Sequence, residues 1–174
     1  APKTKTSSNQ NRTVDSRFAP RIISEENAFI VDSLMKEVVS NGTAKAALQL
    51  NRSDLAGKTG TTNNYFDAWF TGYNPDVVTS VWVGFDSPQD LGKGESGARA
   101  ALPIWIDYMR VALKDRPDLK REIPEKIVEL HTNPISGLRA TEEESDAYLE
   151  FFVRGSEPPF PDPESLIDPI QGLF

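Results

Sequence analysis

The sequence predicts an α/β chain of the α+β type, an antiparallel sheet flanked by helices. Three observations predict it. Residues 25–40 carry apolar side chains at helical spacing. Three β-prone segments between residues 55 and 84 are separated by turns too short for helical crossovers. A second apolar-rich segment with helical spacing follows a glycine-rich loop.

Residues 1–20 are rich in Lys, Thr, Ser, Asn, Gln and Arg and read as a linker or flexible segment. Ser24 is the N-cap of the first helix, because its hydroxyl can accept from an orphan first-turn amide. Glu25 and Glu26 suit the positive end of the helix dipole. Val31, Leu34, Met35 and Val38 share one face, and Asn41-Gly42 ends the helix. The first strand spans 55–62, small and threonine-rich, and Asn63-Asn64 turns the chain into the second, 66–73. Asn74-Pro75-Asp76 is the next turn, and 77–84 is the most β-prone stretch. The loop 91–97 leads to a helix over 98–113, with Pro103 tolerated in its first turn. Ile127-Val128 and Leu138 are read as a short hairpin around residues 133–137. Residues 156–174, with five prolines, are read as extended or disordered.

Composition narrows the chemistry. With 174 residues, 38% hydrophobic and 26% charged, the chain has a globular balance, and no run approaches a membrane-spanning length. Zero cysteines exclude disulfides, thiolate metal sites and cysteine nucleophiles, and the single His131 excludes a multi-histidine cluster. His131 itself reads as a surface residue. The net charge of −7 is uneven: nine basic and six acidic groups in 1–58, but one and nine in 141–174. Such a tail repels nucleic acid. Glu142-Glu143-Glu144 reads as solvated, since three adjacent carboxylates point in different directions.

The sharpest motif is Lys58-Thr59-Gly60-Thr61-Thr62. On a strand, Thr59 and Thr61 share a face. Lysine supplies positive potential, the hydroxyls can donate to a carboxylate, and the glycine admits another backbone. A free amide on a strand edge can face a developing oxyanion. The bland alternative is a threonine-rich strand with a surface lysine.

K-T-G is also the third element of the set that includes S-x-x-K. The chain resembles the class A penicillin-binding proteins in that triplet and beyond it. The matching stretches are Arg21-Ile22-Ile23-Ser24, Asn41-Gly42-Thr43-Ala44, residues 54–63, Asp67-Ala68-Trp69-Phe70-Thr71-Gly72-Tyr73-Asn74-Pro75, Val81-Trp82-Val83-Gly84-Phe85-Asp86 and Ala101-Leu102-Pro103-Ile104-Trp105. The resemblance implies a penicillin-binding transpeptidase or serine β-lactamase-like fold, with only its C-terminal portion in this chain. Residues 21–115 would be the C-terminal half of a transpeptidase domain and 116–174 a partly disordered C-terminal extension.

It further implies peptidoglycan stem peptides and β-lactams as ligands, a serine acyl-enzyme, and neither cofactor nor metal. Lys58 and Thr61 would be catalytic, and Thr59, Gly60, Thr61 and Thr62 would bind substrate. The Thr61 amide would be an oxyanion donor, with Asp67 and Trp69 supporting. The expected location is the periplasmic face of the bacterial inner membrane, any membrane contact being made by a segment absent here. The parent protein would also carry a glycosyltransferase.

Two departures matter. Ser33-Leu34-Met35-Lys36 fits S-x-x-K but lies mid-helix, only 25 residues before Lys58, and Ser7-Ser8-Asn9 fits S-x-N but precedes it. Both read as chance matches, so the nucleophile is expected on an upstream half of the same domain, which would be this chain's partner. Without that half, the apolar strand 77–84 would leave an open edge, and the lone chain is expected to fold poorly. The alternative is a non-catalytic fragment that binds peptide or a partner protein. A third reading takes Gly92-Lys93-Gly94-Glu95-Ser96-Gly97 as a dinucleotide fingerprint, which requires a parallel sheet.

Overall fold

The computed structural model describes residues 20–162. Residues 1–19, which hold all but the last residue of the linker expected over 1–20 as well as Ser7-Ser8-Asn9, lie outside that range, as do residues 163–174. Two antiparallel sheets and two main helices make up the fold. Helix α1, Glu25–Ser40, starts as the sequence predicts: the Asn27 amide donates to Ser24 Oγ at 3.1 Å. A short 3-10 helix, Lys45–Leu50, follows. Strands β1 (Ala56–Thr61), β2 (Asp67–Tyr73) and β3 (Val78–Gly84) form one sheet in the order β1-β2-β3. Asn64 and Tyr65 take left-handed φ of 62° and 55° in the β1–β2 turn. In the β2–β3 turn the Asn74 side-chain oxygen accepts from the amides of Asp76 and Val77.

The second helix begins with one π turn, Gly97–Ala101, and continues as α2, Leu102–Ala112. It lies on one face of the sheet. Phe70 and Trp105 are fully buried there, meeting edge to face at 5.0 Å, and the Trp105 indole N–H donates to the Gly72 carbonyl at 3.2 Å. Leu102, Ile106 and Met109 fill the same layer, with Val81 and Val83 against it. The opposite face is open at Trp69 and Trp82, which pack at 6.1 Å and stay 44% and 43% exposed. Among the described residues, neither β1 nor β3 has a strand on its outer edge.

The hairpin differs from expectation. Strand β4, Ile127–Thr132, pairs along its length with β5, Tyr148–Val153, while residues around Leu138 add only the single bridge Thr132–Arg139. The segment Tyr148-Leu149-Glu150-Phe151-Phe152-Val153 is β-prone, but the acidic composition around it masks the signal. The hairpin is seated on α1, where Phe151 meets Phe29 edge to face at 5.1 Å.

Candidate functional site on strand β1

The β1–β2 pairing brings Lys58 opposite Thr71, Thr59 opposite Phe70, Gly60 opposite Trp69 and Thr61 opposite Ala68. Thr59 and Thr61 therefore share the face that carries Phe70 and Ala68, while Lys58 and Gly60 share the face of Trp69. Just beyond β1, the Thr62 amide donates to the Asp67 carbonyl at 3.1 Å. In an antiparallel ladder the residues bonded across alternate with residues whose amides point away. Counting back from Thr62, the amides of Gly60 and Lys58 turn inward to β2, and those of Thr61 and Thr59 turn out to the strandless edge. The Lys58 ammonium donates to the Thr59 carbonyl at 3.0 Å, on that same outer edge. One strand edge thus presents two outward amides, two hydroxyls and a cation.

On β2, Asp67 makes the polar ties and Trp69 packs against Trp82 of β3. The Asp67 carboxylate accepts from the Trp82 indole N–H at 2.8 Å, and the Asp67 amide donates to Thr62 Oγ1 at 2.8 Å. Those two bonds tie the end of β1 to β3 through one residue.

The loop before α2 borders the strand. The Gly97 amide donates to Thr61 Oγ1 at 3.0 Å. A Cβ at Gly97 would lie 2.2 Å from the Trp69 carbonyl oxygen and 2.6 Å from that of Gly60, so only glycine lets the loop rest on the strand backbones. This gives Gly97, the last residue of the Gly92–Gly97 motif, a packing place. The dinucleotide reading fails here, because all three strands of the sheet run antiparallel to their neighbours.

The entry to β1 is held by a clip that the sequence reading did not single out. Asp54 is buried and receives two hydrogen bonds from Arg52, at 2.8 and 2.6 Å, one from Asn74 at 3.1 Å and one from the Leu119 amide at 3.2 Å. Burial pushes its carboxyl up, but the bonds from Arg52, Asn74 and Leu119 outweigh that and hold it well below the usual carboxylate range. Arg52 also donates to the carbonyls of Arg116 and Pro117. On α1, Asp32 accepts from the Tyr73 hydroxyl at 3.0 Å and pairs with Arg121 and Lys36. Burial, then the bond to Asp32, pushes the Tyr73 phenol up to about 12.

The S-x-x-K on α1 is arranged differently from a nucleophile and its base. Ser33 Oγ donates to the Ile30 carbonyl at 2.7 Å, and the Lys36 ammonium sits 3.6 Å from Asp32. His131 lies on β4, opposite Leu149, remote in sequence from this edge.

The family described as penicillin binding protein transpeptidase domain matches residues 6–105. Penicillin-binding protein 1A of Pseudomonas aeruginosa is 50% identical over 141 residues, covering 81% of this chain and 17% of that protein. Its namesake in Neisseria gonorrhoeae is 50% identical over 110 residues, covering 63% and 14%. The crystal structure of penicillin-binding protein 1A from Haemophilus influenzae superposes with a TM-score of 0.75 at 40% identity, over 81% of this chain and 22% of that one. The chain spans less than a fifth of the length of these curated relatives.

Proposed function

This chain belongs to the penicillin-binding protein transpeptidase family, and from that premise we propose that it supplies the carboxylate-binding strand and part of the oxyanion hole of a peptidoglycan D,D-transpeptidase. The observation that carries the reading is the edge of β1, where Thr59 and Thr61 turn amides outward beside their hydroxyls and Lys58.

In the reaction, a serine oxygen attacks the carbonyl of a D-Ala-D-Ala bond. The developing oxyanion is met by the Thr61 amide. The carbon–nitrogen bond breaks, D-Ala leaves with the proton taken from serine, and an ester remains on the enzyme. An amine of a second stem peptide then attacks the ester carbonyl; the ester carbon–oxygen bond breaks, an amide forms, and the proton lost by the amine returns to the serine oxygen. Thr59 and Thr61 hydroxyls hold the substrate carboxylate, and Lys58 supplies the positive field. Gly60 and Thr62 keep the backbone accessible and anchored. Asp67 and Trp69 support from β2. β-Lactams acylate the same serine.

The serine is assigned to an upstream segment carrying S-x-x-K and S-x-N, because Ser33 gives its proton to a backbone carbonyl and Lys36 is engaged by Asp32. The same observation favours the second reading, a peptide- or partner-binding fragment, if the chain acts alone. Residues 21–115 would then be the C-terminal half of the transpeptidase domain and 116–174 its extension. The parent would work at the periplasmic face of the inner membrane, with a glycosyltransferase elsewhere in it.

The test is labelling by a fluorescent penicillin, read by intact mass, on this chain alone and mixed with the upstream half. Labelling of the other fragment only in the mixture, lost with Lys58→Ala, is expected. A label on Ser33 overturns the assignment of the nucleophile, and no label in the mixture favours the binding-only reading.

A further inference from the structure

The turn after α1 places a second hydroxyl against the site. Thr43 Oγ1 lies 2.9 Å from Thr59 Oγ1, sixteen residues away in sequence. The placement is built by the end of the helix. The amides of Asn41 and Gly42 both donate to the Glu37 carbonyl, and the Ala44 amide donates to that of Val38. Ala44 is fully buried, and a Cβ at Gly42 would sit 2.8 Å from Val38 Cα. Thr43 is thus held between a closed helix end and an anchored alanine, with its side chain exposed toward β1.

We propose that Thr43 is a positioning residue that sets the direction of the Thr59 hydroxyl proton for carboxylate recognition. The inference rests on the transpeptidase reading and adds to it a residue with no role in that reading. A threonine hydroxyl has one proton to give, and a ligand carboxylate can only accept. When Thr59 donates to a carboxylate, its bond with Thr43 can persist only with Thr43 as donor. Thr43 then occupies a lone pair of Thr59 and leaves its proton for the ligand. The partner hydroxyl is arranged by the same rule with a different group: the Gly97 amide can only donate, so Thr61 Oγ1 accepts from it and keeps its own proton free. A side chain on one flank and a main-chain amide on the other point both threonine protons outward.

The experiment uses the full-length polypeptide that carries S-x-x-K and S-x-N together with this chain. The second-order rate of acylation is measured with benzylpenicillin and with its methyl ester, which lacks the free carboxylate. Thr43→Val keeps the shape and removes the donor. The expected result is acylation by benzylpenicillin slowed about fivefold, the size of one lost neutral hydrogen bond of about 1 kcal/mol. The variant-to-parent ratio for the ester stays near one, and Thr43→Ser restores the parent rate. Equal slowing with both compounds, or no slowing with either, overturns the proposal. Thr43→Ala, read the same way, covers a Thr43→Val protein that does not fold. Failure of the unsubstituted protein to be acylated overturns the transpeptidase reading itself, and this inference with it.

Discussion

Gly97→Ala is the sharpest perturbation of the β1 edge that leaves every polar side chain in place. The added Cβ would lie 2.2 Å from the Trp69 carbonyl oxygen, 2.6 Å from that of Gly60 and 3.1 Å from the Gly60 nitrogen. All three neighbours are backbone atoms of the paired strands β1 and β2, so none can swing aside. Ordinary contact begins near 3.4 Å, so the loop must retreat by about 1.2 Å. That lengthens the 3.0 Å bond from the Gly97 amide to Thr61 Oγ1 beyond hydrogen-bonding range. Forcing a methyl into close packing costs about 2 kcal/mol, which is read as a lower melting midpoint.

If the β1 edge serves the proposed transpeptidase reaction, the functional loss is larger, because a misplacement of about 1 Å at a reacting centre costs on the order of 100-fold in rate. The assay pairs thermal unfolding with the rate of penicillin acylation in the full-length polypeptide. Gly137→Ala is the control: its φ of 68° imposes backbone strain, but nothing lies within 4 Å of the new methyl. It should cost about 1 kcal/mol and leave acylation unchanged. A Gly97→Ala protein that melts and acylates like the parent would refute the close approach of this loop to the strands.

Two further outcomes follow from the packing and the charges. The Asp54 carboxyl is held low in the folded state, so its stabilisation is full above the unfolded value near about 4 and is lost as pH falls through that value toward the folded one. Asp54→Asn should therefore flatten the acid limb of a stability–pH curve and cost about 3 kcal/mol at neutral pH by leaving Arg52 without its partner; an unchanged acid limb contradicts the clip. Phe151→Ala removes the edge-to-face contact with Phe29, worth about 1 kcal/mol beyond its area. Amide exchange should quicken in β4 and β5 while β1–β3 keep their protection, and equal quickening in both sheets would show that the hairpin is not a separate unit.

What could be read in the sequence is what local chemistry decides. Ser24 caps α1 because a hydroxyl before Glu25-Glu26 needs no distant partner. The three strands fall within a residue or so of their predicted spans, since Asn63-Asn64 and Asn74-Pro75-Asp76 mark their ends. The Lys45–Leu50 helix is not legible, because one 3-10 element without a side-chain cap leaves no periodic trace. The full β4–β5 pairing is hidden because the β-prone run 148–153 carries Glu150 and sits among further carboxylates. The clip joins Asp54 to Leu119, 65 residues on, and the Thr43–Thr59 contact spans sixteen. Neither contact exists until the helices have packed, and no local pattern announces them.

The clip has a consequence for the proposed carboxylate-binding edge, which its own residues never touch. Asp54 stands two residues before β1, and its bonds to Arg52, Asn74 and Leu119 fix where that strand begins. Strand geometry repeats every second residue, so a slide of one position would exchange the two faces and the two edges of β1. Lys58 and Gly60 would then turn their amides outward, while Thr59 and Thr61 would spend theirs on β2. The chain would keep its composition, its sheet and its K-T-G, yet present glycine and lysine amides where threonine's belong. A buried ion pair at the head of the strand thus acts as a phase lock, selecting which of two interleaved sets of residues the edge displays.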